Sequence, residues 1–380
     1  MDLIEGQLAR GHEVHLVYSA LRSDRVFADD LQRVKAQRNF YSLPVPIERY
    51  PDVGDIGVIR KLRRYLRSNG RFDLVHCHST KAGLIGRAGL LGYPVKRLYT
   101  PHGFASMNPA GGRVMTRIAG GLERLLATVS AGVAVVSREE YAHAAGIGIA
   151  LSKLCLIPNG AVLPQRDDLE KQRSACRRDW KLDERDICIG FVGRFTRVKD
   201  PELMLESFAA FRQTSRVRTR LVMVGDGPLA TSLRERARGL GIGGDVDWLG
   251  AQDARPLIPG FDVLALTSKA EGHPLVVLEA MARGLAIVAT RVGGIADTVQ
   301  SGVNGFIAPV NNVGAIAEAL EKLASDDALR ARMGKASFAI SREFSADRMV
   351  ERTLAFYEEI VTGVFASRTT ALSKMAASGS

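Results

Sequence analysis

Two kinds of segment take turns along this chain: stretches with an apolar stripe at helical spacing, and short runs of β-branched residues. The opening stretch puts Leu3, Ile4 and Leu8 on one helical face, and Gly11 follows where a helix would end. The run VHLVYS comes next and predicts a strand. Helical VIRKLRRYLRSNG then precedes DLVHCHS, a helix from about Lys81 precedes KRLYTPHG, and a helix near Met115–Ala127 precedes AGVAVVS. This alternation predicts a parallel sheet with helices on both faces.

A second α/β region follows a segment rich in Pro, Gly and charge, roughly residues 158–184. The alternation restarts with ICIGFVGR, LVMVGDG, VDWLG, DVLALTS and AIVAT. We therefore predict two doubly wound α/β domains, residues 1–163 and 185–345, joined by a linker at 164–184. A helix at about 346–360 completes the first domain, and 363–380 is expected to be a disordered tail.

The composition narrows the class of protein. Lys and Arg total 52 against 41 acidic residues, a formal net charge of +11, which favours anionic partners such as nucleotide phosphates, lipid pyrophosphates, a membrane surface or nucleic acid. The four cysteines have no C-x-x-C spacing, so they indicate neither a zinc nor a redox motif. No apolar run reaches about 18 residues, and no signal peptide opens the chain. These features predict a cytoplasmic protein, soluble or peripheral on the inner face of the plasma membrane.

The segment SKAEGHPLVVLEAMARGLAIVAT carries the first candidate chemistry. Glu271 lies in a loop at the carboxyl edge of the predicted sheet, Pro274 suits the first helical position, and Glu279 lies about one turn into the helix. The free amides of Leu275 and Val276 at the helix start favour a phosphate. The alternative is that both glutamates are ordinary solvated charges.

The segment FVGRFTRVKDPELMLESFA carries the second. Its strand ends at Gly193, and Arg194 and Lys199 lie in the loop before a helix near Pro201. Two cations at a strand's carboxyl end can hold a diphosphate. The alternative is a solvated basic loop.

Together these segments resemble retaining glycosyltransferases of family four, which have the GT-B fold of two α/β domains facing a cleft. In family order the chain has Gly193, Arg194, Lys199, Val224-Gly225-Asp226-Gly227-Pro228, Glu271 and Glu279 in the E-x(7)-E pattern, Val292-Gly293-Gly294 and Asn304-Gly305-Phe306.

The resemblance implies roles for these residues. Glu271 contacts the donor sugar and Glu279 the ribose hydroxyls. Arg194, Lys199 and the helix amides take up the charge of the leaving diphosphate, so no divalent metal is required. The expected reaction is front-face attack, in which a donor phosphate oxygen accepts the acceptor's proton while the domains close over the donor.

The amino-terminal half is similar to members that act on bacterial polysaccharide or lipid-linked glycans, through DLVHCHSTKAGLIGR and YTPHGF. His102 falls where the family places a histidine facing the donor sugar; the alternative is a satisfied histidine at a strand end. Ser79 and Lys81 open a helix at the sheet edge and could meet an acceptor phosphate. The alternative for these two is a simple cap and a solvated lysine.

No metal or cofactor site is expected. His76 and His78 point to one face of a strand and Cys77 to the other. The D-x-D pattern at 245–247 lies at the start of a strand, away from the carboxyl edge. Without G-x-G-x-x-G, a nicotinamide cofactor is not predicted. The nucleotide-sugar is then a substrate, and nucleic acid is not an expected partner.

One basic helix could contact anionic lipid. Ile59, Leu62 and Leu66 lie on one face near Arg60–Arg67, in a strongly basic surround. The alternative is a surface helix that packs this stripe on the sheet.

The leading hypothesis is a retaining, metal-independent glycosyltransferase. It moves a sugar from a nucleotide diphosphate to a glycan or a polyprenyl-pyrophosphate-linked acceptor in cell-envelope polysaccharide synthesis. A catalytically inactive donor-binding relative and a nucleotide-sugar epimerase are the alternatives. The sugar, the base and the oligomeric state are not predicted.

The beginning of the chain departs from the family. Members begin with a strand and a glycine-rich loop, whereas Met1 to Ile4 already match the interior of the first helix. The expectation is that the first strand is missing, so that Met1 is not the true start or this form is poorly folded and inactive. Another segment filling the gap is the alternative.

Overall fold

The computed structural model of the protein describes residues 1–21, 25–48, 51–107 and 112–365. The chain divides into two compact units. The first unit contains Met1–Pro158 and the chain from Asp347 onward, and the second unit contains Asn159–Ala346. Part of the predicted tail, residues 366–380, lies outside the described residues.

The first unit alternates helices and strands as predicted. Its helices before the second unit are α1 (Asp2–Ala9), α2 (Arg25–Lys35), α3 (Gly54–Ser68), α4 (Thr80–Gly89), α5 (Arg113–Thr128) and α6 (Arg138–Gly146). Its strands are β1 (Val14–Ser19), β2 (Phe40–Val45), β3 (Leu74–His78), β4 (Lys96–Thr100), β5 (Gly132–Val135) and β6 (Leu154–Leu156). All these strands pair in parallel.

The described strands of the first unit form two sheets, β1-β2 and β3-β4-β5-β6. Within those residues β1 and β3 are therefore both edge strands. The expectation that a further strand belongs before α1 stays a prediction.

The second unit contains one six-stranded parallel sheet in the order β12-β11-β10-β7-β8-β9. Its strands are β7 (Ile187–Val192), β8 (Thr219–Val224), β9 (Val246–Gly250), β10 (Val263–Leu266), β11 (Ala286–Thr290) and β12 (Gly305–Ala308). Its helices are α7 (Arg166–Asp179), α8 (Pro201–Thr214), α9 (Ala230–Gly239), α10 (Leu275–Ala282), α11 (Ile295–Thr298), α12 (Val313–Ser325) and α13 (Asp327–Ser341).

Apolar side chains cover both faces of this sheet, as a parallel sheet requires. Along β7, Ile189 and Phe191 belong to one buried cluster and Cys188 to another. Strand order reverses between the neighbouring strands β7 and β10. In an open α/β sheet, ligands bind outside the carboxyl ends of the strands at this reversal.

The last helix, α14 (Ala346–Thr362), packs on the sheet of the first unit. Phe356 and Ile360 are buried with Leu98 and Ala134. Gly132 has no side chain where they pack: a Cβ there would lie 2.6 Å from Cζ of Phe356.

The prediction that residues 164–184 form a linker between the two domains is wrong. Most of that segment is α7, a helix of the second unit. Arg173 and Arg177 form ion pairs with the half-buried Asp262 at 2.6 and 3.0 Å, and Trp180 stacks on Phe261. Two charges of the helix are used in these contacts, while its other charged residues are exposed.

The proposed lipid-binding stripe of α3 is also corrected. Leu62 and Leu66 are buried in a cluster with Ile85 and Leu90, and Ile59 is partly buried against the same cluster. This stripe is part of the core, as the alternative reading held. No helix in the described ranges is long and apolar enough to cross a membrane.

Candidate active site

The loop after β7 places Arg194 outside the core and its neighbour Phe195 inside it. Phe195 is 2% exposed, and its N–H donates to the carbonyl of Asp226. The loop after β8 comes very close, because a Cβ on Gly225 would lie 1.9 Å from the carbonyl oxygen of Gly193. Only glycine allows this approach. The Arg194 guanidinium is exposed, and no acceptor within the described residues contacts it.

Lys199 and Glu271 meet where β7 and β10 end side by side. Lys199 Nζ lies 2.6 Å from Glu271 Oε1, which also accepts a 2.5 Å hydrogen bond from Ser268 Oγ. The Glu271 side chain is 9% exposed and that of Lys199 is 27% exposed. An ammonium has three N–H donors, so the pair leaves Lys199 able to bind a further anion.

A second ion pair fixes the same two loops. Lys269 Nζ lies 2.9 Å from Asp200 Oδ2, and the Lys269 N–H donates to the carbonyl of Val198. Asp200 is buried and left-handed, with φ of 47°, and its carbonyl accepts from Thr267 Oγ1 at 2.8 Å. Strained backbone of this kind persists only where its surroundings hold it. The two loops therefore present Lys199 and Glu271 in a fixed geometry.

The start of α10 adds backbone donors to this region. Pro274 precedes the helix as its cap residue, one position earlier than predicted, and no side chain in the described ranges caps it. The first amides of a helix, here those of Leu275 and Val276, have no partner inside the helix. Together with the helix dipole they favour an anion.

The loop before α10 rests on a glycine pair. Gly293 has φ of 52°, and a Cβ there would lie 2.1 Å from the Glu271 carbonyl oxygen. The Gly294 N–H donates to the Gly272 carbonyl at 2.6 Å. Glu279 is half-buried one turn into α10, and its carbonyl accepts from Arg283 Nη1.

The corresponding strand ends of the first unit carry imidazoles. His78 Nδ1 and His102 Nε2 are 3.0 Å apart, and His76 hydrogen-bonds Thr100 Oγ1 at 2.8 Å and Tyr357 Oη at 2.6 Å. Solvent reaches the His78 and His102 rings, but the protein packed around them lowers the pKa of His102 to about 4. The surrounding protein and the neighbouring His102 together lower the pKa of His78 to about 3. The hydrogen bond between the two rings therefore joins neutral imidazoles at neutral pH.

His102 is held in an unusual backbone conformation, with φ of 52°. The next amide, that of Gly103, donates to Glu140 Oε1 at 2.5 Å. Glu140 is fully buried, and its other oxygen accepts from the Val136 N–H. Glu140 thus fixes the turn that carries His102.

Family models match both halves of the chain. A model described as Glycosyltransferase Family 4 matches residues 1–163, and one described as Glycosyl transferases group 1 matches residues 172–339. The chain belongs to glycosyltransferase family 4.

Several relatives and solved structures are similar to this family 4 chain. The N-acetyl-alpha-D-glucosaminyl L-malate synthase of Bacillus anthracis is 27% identical over 52% of this chain and 52% of its own length, so that match spans about half of each protein. A D-inositol 3-phosphate glycosyltransferase of Salinispora tropica is 28% identical over 80% of this chain and 67% of the relative.

Two solved structures show the GT-B fold. The Anabaena protein HepE in complex with UDP and glucose has a TM-score of 0.79 at 18% identity, covering 94% of this chain and 95% of that one. The sucrose-phosphate synthase of Thermosynechococcus elongatus has a TM-score of 0.78 at 20% identity, covering 95% and 92%.

The acceptor-side candidates have unexpected surroundings in this family 4 chain. Lys81 is only 6% exposed and forms ion pairs with Asp55 at 2.8 Å and Asp52 at 3.1 Å. Ser79 has φ of 74°, and its side chain does not cap α4. The alternative of a simple cap and a solvated lysine is therefore wrong, while contact with an acceptor phosphate stays a prediction.

Sequence reasoning missed the supporting residues Ser268, Lys269, Asp200 and Glu140. It also missed the surroundings of His273, which is 4% exposed and has no hydrogen-bond partner on either ring nitrogen among the described residues. Burial lowers the pKa of His273 to about 4. The proximity of Ser268 and Lys269 to Glu271 in sequence was an available signal, whereas nothing local pointed to Glu140.

The D-x-D residues lie at the start of β9 and have cationic partners. Asp247 binds Arg220 through both oxygens, and Asp245 contacts Arg212 at 3.3 Å. In the part of the chain that the structure describes, no three His, Cys, Asp or Glu side chains are arranged to hold a metal ion.

Proposed function

We propose that this chain transfers a sugar, with retention at the anomeric carbon, from a nucleotide diphosphate to a glycan or polyprenyl-pyrophosphate-linked acceptor. The observation that carries the proposal is the Lys199–Glu271 pair beside the uncapped start of α10, at the strand-order reversal of the second unit. The names of the relatives describe glycosyl transfer, and the HepE structure contains UDP and glucose.

The proposed chemistry separates charge between two groups. As the bond from the anomeric carbon to the diphosphate breaks, the phosphate gains negative charge, and Arg194, Lys199 and the α10 amides stabilise it. The acceptor oxygen bonds to the anomeric carbon on the same face, and its proton passes to the leaving phosphate oxygen. Glu271, fixed by Lys199 and Ser268, would hold the sugar hydroxyls, and Glu279 would hold the ribose.

The proposed role of His102 is to bind the donor sugar as a neutral group. A neutral side chain suits this position, because a neutral imidazole can hydrogen-bond a hydroxyl without adding positive charge beside a sugar that becomes positive. The proposed site of action is the cytoplasmic face of the plasma membrane, in cell-envelope polysaccharide synthesis, because a polyprenyl acceptor resides in a membrane.

A donor screen tests the function. Purified protein is incubated with nucleotide-sugars and a membrane lipid extract, and released nucleoside diphosphate is measured. We expect release with one class of donor only when extract is present. Conversion of donor without extract would indicate an epimerase, and donor that binds but is never consumed would indicate an inactive relative.

The same assay tests metal independence. Because Arg194, Lys199 and the α10 amides occupy the role a divalent ion would serve, we expect turnover to persist in excess chelator. Activity that disappears in chelator and returns with manganese would contradict this part of the proposal.

A further inference from the structure

Two basic amphipathic helices of the first unit use their apolar faces differently. The stripe of α3 is buried in the core. By contrast, α5 exposes five large apolar side chains: Val114 is 72% exposed, Met115 62%, Ile118 59%, Leu122 44% and Leu125 64%. Met115, Ile118, Leu122 and Leu125 follow the three- and four-residue spacing that places them on one face.

The opposite face holds α5 firmly in the unit. The buried Glu123 accepts hydrogen bonds from Arg87 Nη2 at 2.8 Å and Tyr99 Oη at 3.1 Å. At the end of the helix, Lys153 Nζ donates to the carbonyls of Ala127 and Thr128. The exposed stripe is therefore presented by a well-anchored helix.

The charges around the stripe have one sign. Arg113, Arg117 and Arg124 are exposed on α5, and its acidic residue, Glu123, is buried on the opposite face. The helix has an apolar stripe flanked by arginines and no exposed carboxylate. It is therefore complementary to a surface in which an anionic outer layer covers an apolar layer.

We propose that the exposed face of α5 binds the surface of an anionic lipid bilayer. The stripe would enter the boundary between headgroups and acyl chains, and the three arginines would contact lipid phosphates. This inference rests on the α5 surface and not on the transferase chemistry, so either proposal can fail without the other.

A second copy of the chain fits this face less well. Two α5 helices packed face to face would bring like-charged arginines together. The 16-residue helix is about 24 Å long and about 10 Å wide, so its stripe offers roughly 240 Å². A stable dimer buries about 800 Å² on each partner.

Vesicle co-sedimentation tests the proposal with the full chain. Wild type is mixed with vesicles of phosphatidylcholine alone, or of equal parts phosphatidylcholine and phosphatidylglycerol. The stripe variant is Ile118→Ser/Leu122→Ser/Leu125→Ser, with Val303→Ser as its control because Val303 in the second unit is 46% exposed. The charge variant is Arg113→Gln/Arg117→Gln. Its control, Arg332→Gln/Lys335→Gln, removes two exposed charges from α13.

We expect wild type and both controls to bind the anionic vesicles and to be released by salt. The stripe and charge variants should each bind at least about tenfold more weakly, with unchanged circular dichroism and thermal unfolding. Absence of wild-type binding, or equal binding by the stripe variant, would overturn the proposal. Self-association that the stripe variant abolishes, without vesicle binding, would assign the face to a second copy instead.

Discussion

The two units place different chemistry at the carboxyl ends of their sheets. In the second unit, Lys199 and Glu271 are charged partners, with exposed Arg194 nearby. In the first unit, His78 and His102 form a neutral pair. Fixed charge suits a group that carries a diphosphate, whereas neutral donors and acceptors suit sugar hydroxyls. We therefore expect the second unit to bind the diphosphate, and His102 of the first unit to contact a sugar hydroxyl without adding charge.

The strongest test of the comparison removes the charged pair. Lys199→Met should reduce donor turnover by about a hundredfold or more, because it removes a phosphate contact and leaves Glu271 without its cation. It should also lower the free energy of unfolding by about 1–3 kcal/mol, less than a fully buried pair would lose, because Lys199 is partly exposed. Steady-state kinetics and urea unfolding measure the two effects.

The double variant Lys199→Met/Glu271→Gln separates them. It leaves no uncompensated charge, so it should regain most of the unfolding free energy but not the turnover. If Lys199→Met turned over donor at the wild-type rate, the pair would have no part in the reaction.

The next largest effect is expected at Arg194. Arg194→Ala should weaken donor use about ten- to a hundredfold, through loss of a charge-assisted contact worth about 1.5–3 kcal/mol. Since this side chain is exposed, thermal unfolding should not change. Arg197, exposed in the same loop, provides the matched control: Arg197→Ala should keep near wild-type kinetics. Equal losses in both variants would mean that general charge, and not a specific contact, is responsible.

A smaller effect concerns acid stability and His273. Its pKa is about 4 in the folded protein and about 6.5 when unfolded, so the unfolded state binds the extra proton between these values. The stability due to neutral His273 is complete above pH 6.5 and decreases as pH falls toward 4, by at most about 1.4 kcal/mol per pH unit.

A substitution at position 273 isolates the contribution of His273 to the pH dependence of stability. His273→Phe, which keeps a ring and removes both ring nitrogens, should unfold with a shallower pH dependence than wild type over this range. Urea unfolding at several pH values measures both slopes. Parallel slopes would show that His273 is protonated at its ordinary pKa in the folded protein.

The smallest expected effect is a flat pH profile. Because the pKa values of His78 and His102 lie well below the ordinary value, kcat/KM should show no inflection near pH 6.5. A profile from about pH 5.5 to 8 tests this. An inflection near 6.5 that disappears in His102→Phe would show that the first unit carries titrating charge, and the contrast between the units would not hold.

Much of this arrangement could be predicted from local sequence. Strands such as VDWLG and loops such as SKAEGHP are continuous segments, so each can be predicted from its own residues. The loops that follow parallel strands then lie at one edge of the sheet. The helix α7 was missed because its pairing with Asp262, far along the chain, turns exposed-looking charge into structure. The roles of α3 and α5 were likewise not separable, since both are basic and amphipathic, and only packing shows which stripe is covered.

The position of α14 has a consequence for how the protein is made. A ribosome synthesises all of the second unit, Asn159–Ala346, before it reaches the helix that completes the first. Synthesis proceeds at about 5–20 residues per second. Leu98 and Ala134 are therefore made on the order of ten seconds or more before Phe356 and Ile360, which cover them. During that time the nascent first unit displays an uncovered apolar sheet face to the chaperones around the exit tunnel, while the second unit can already fold as one continuous piece.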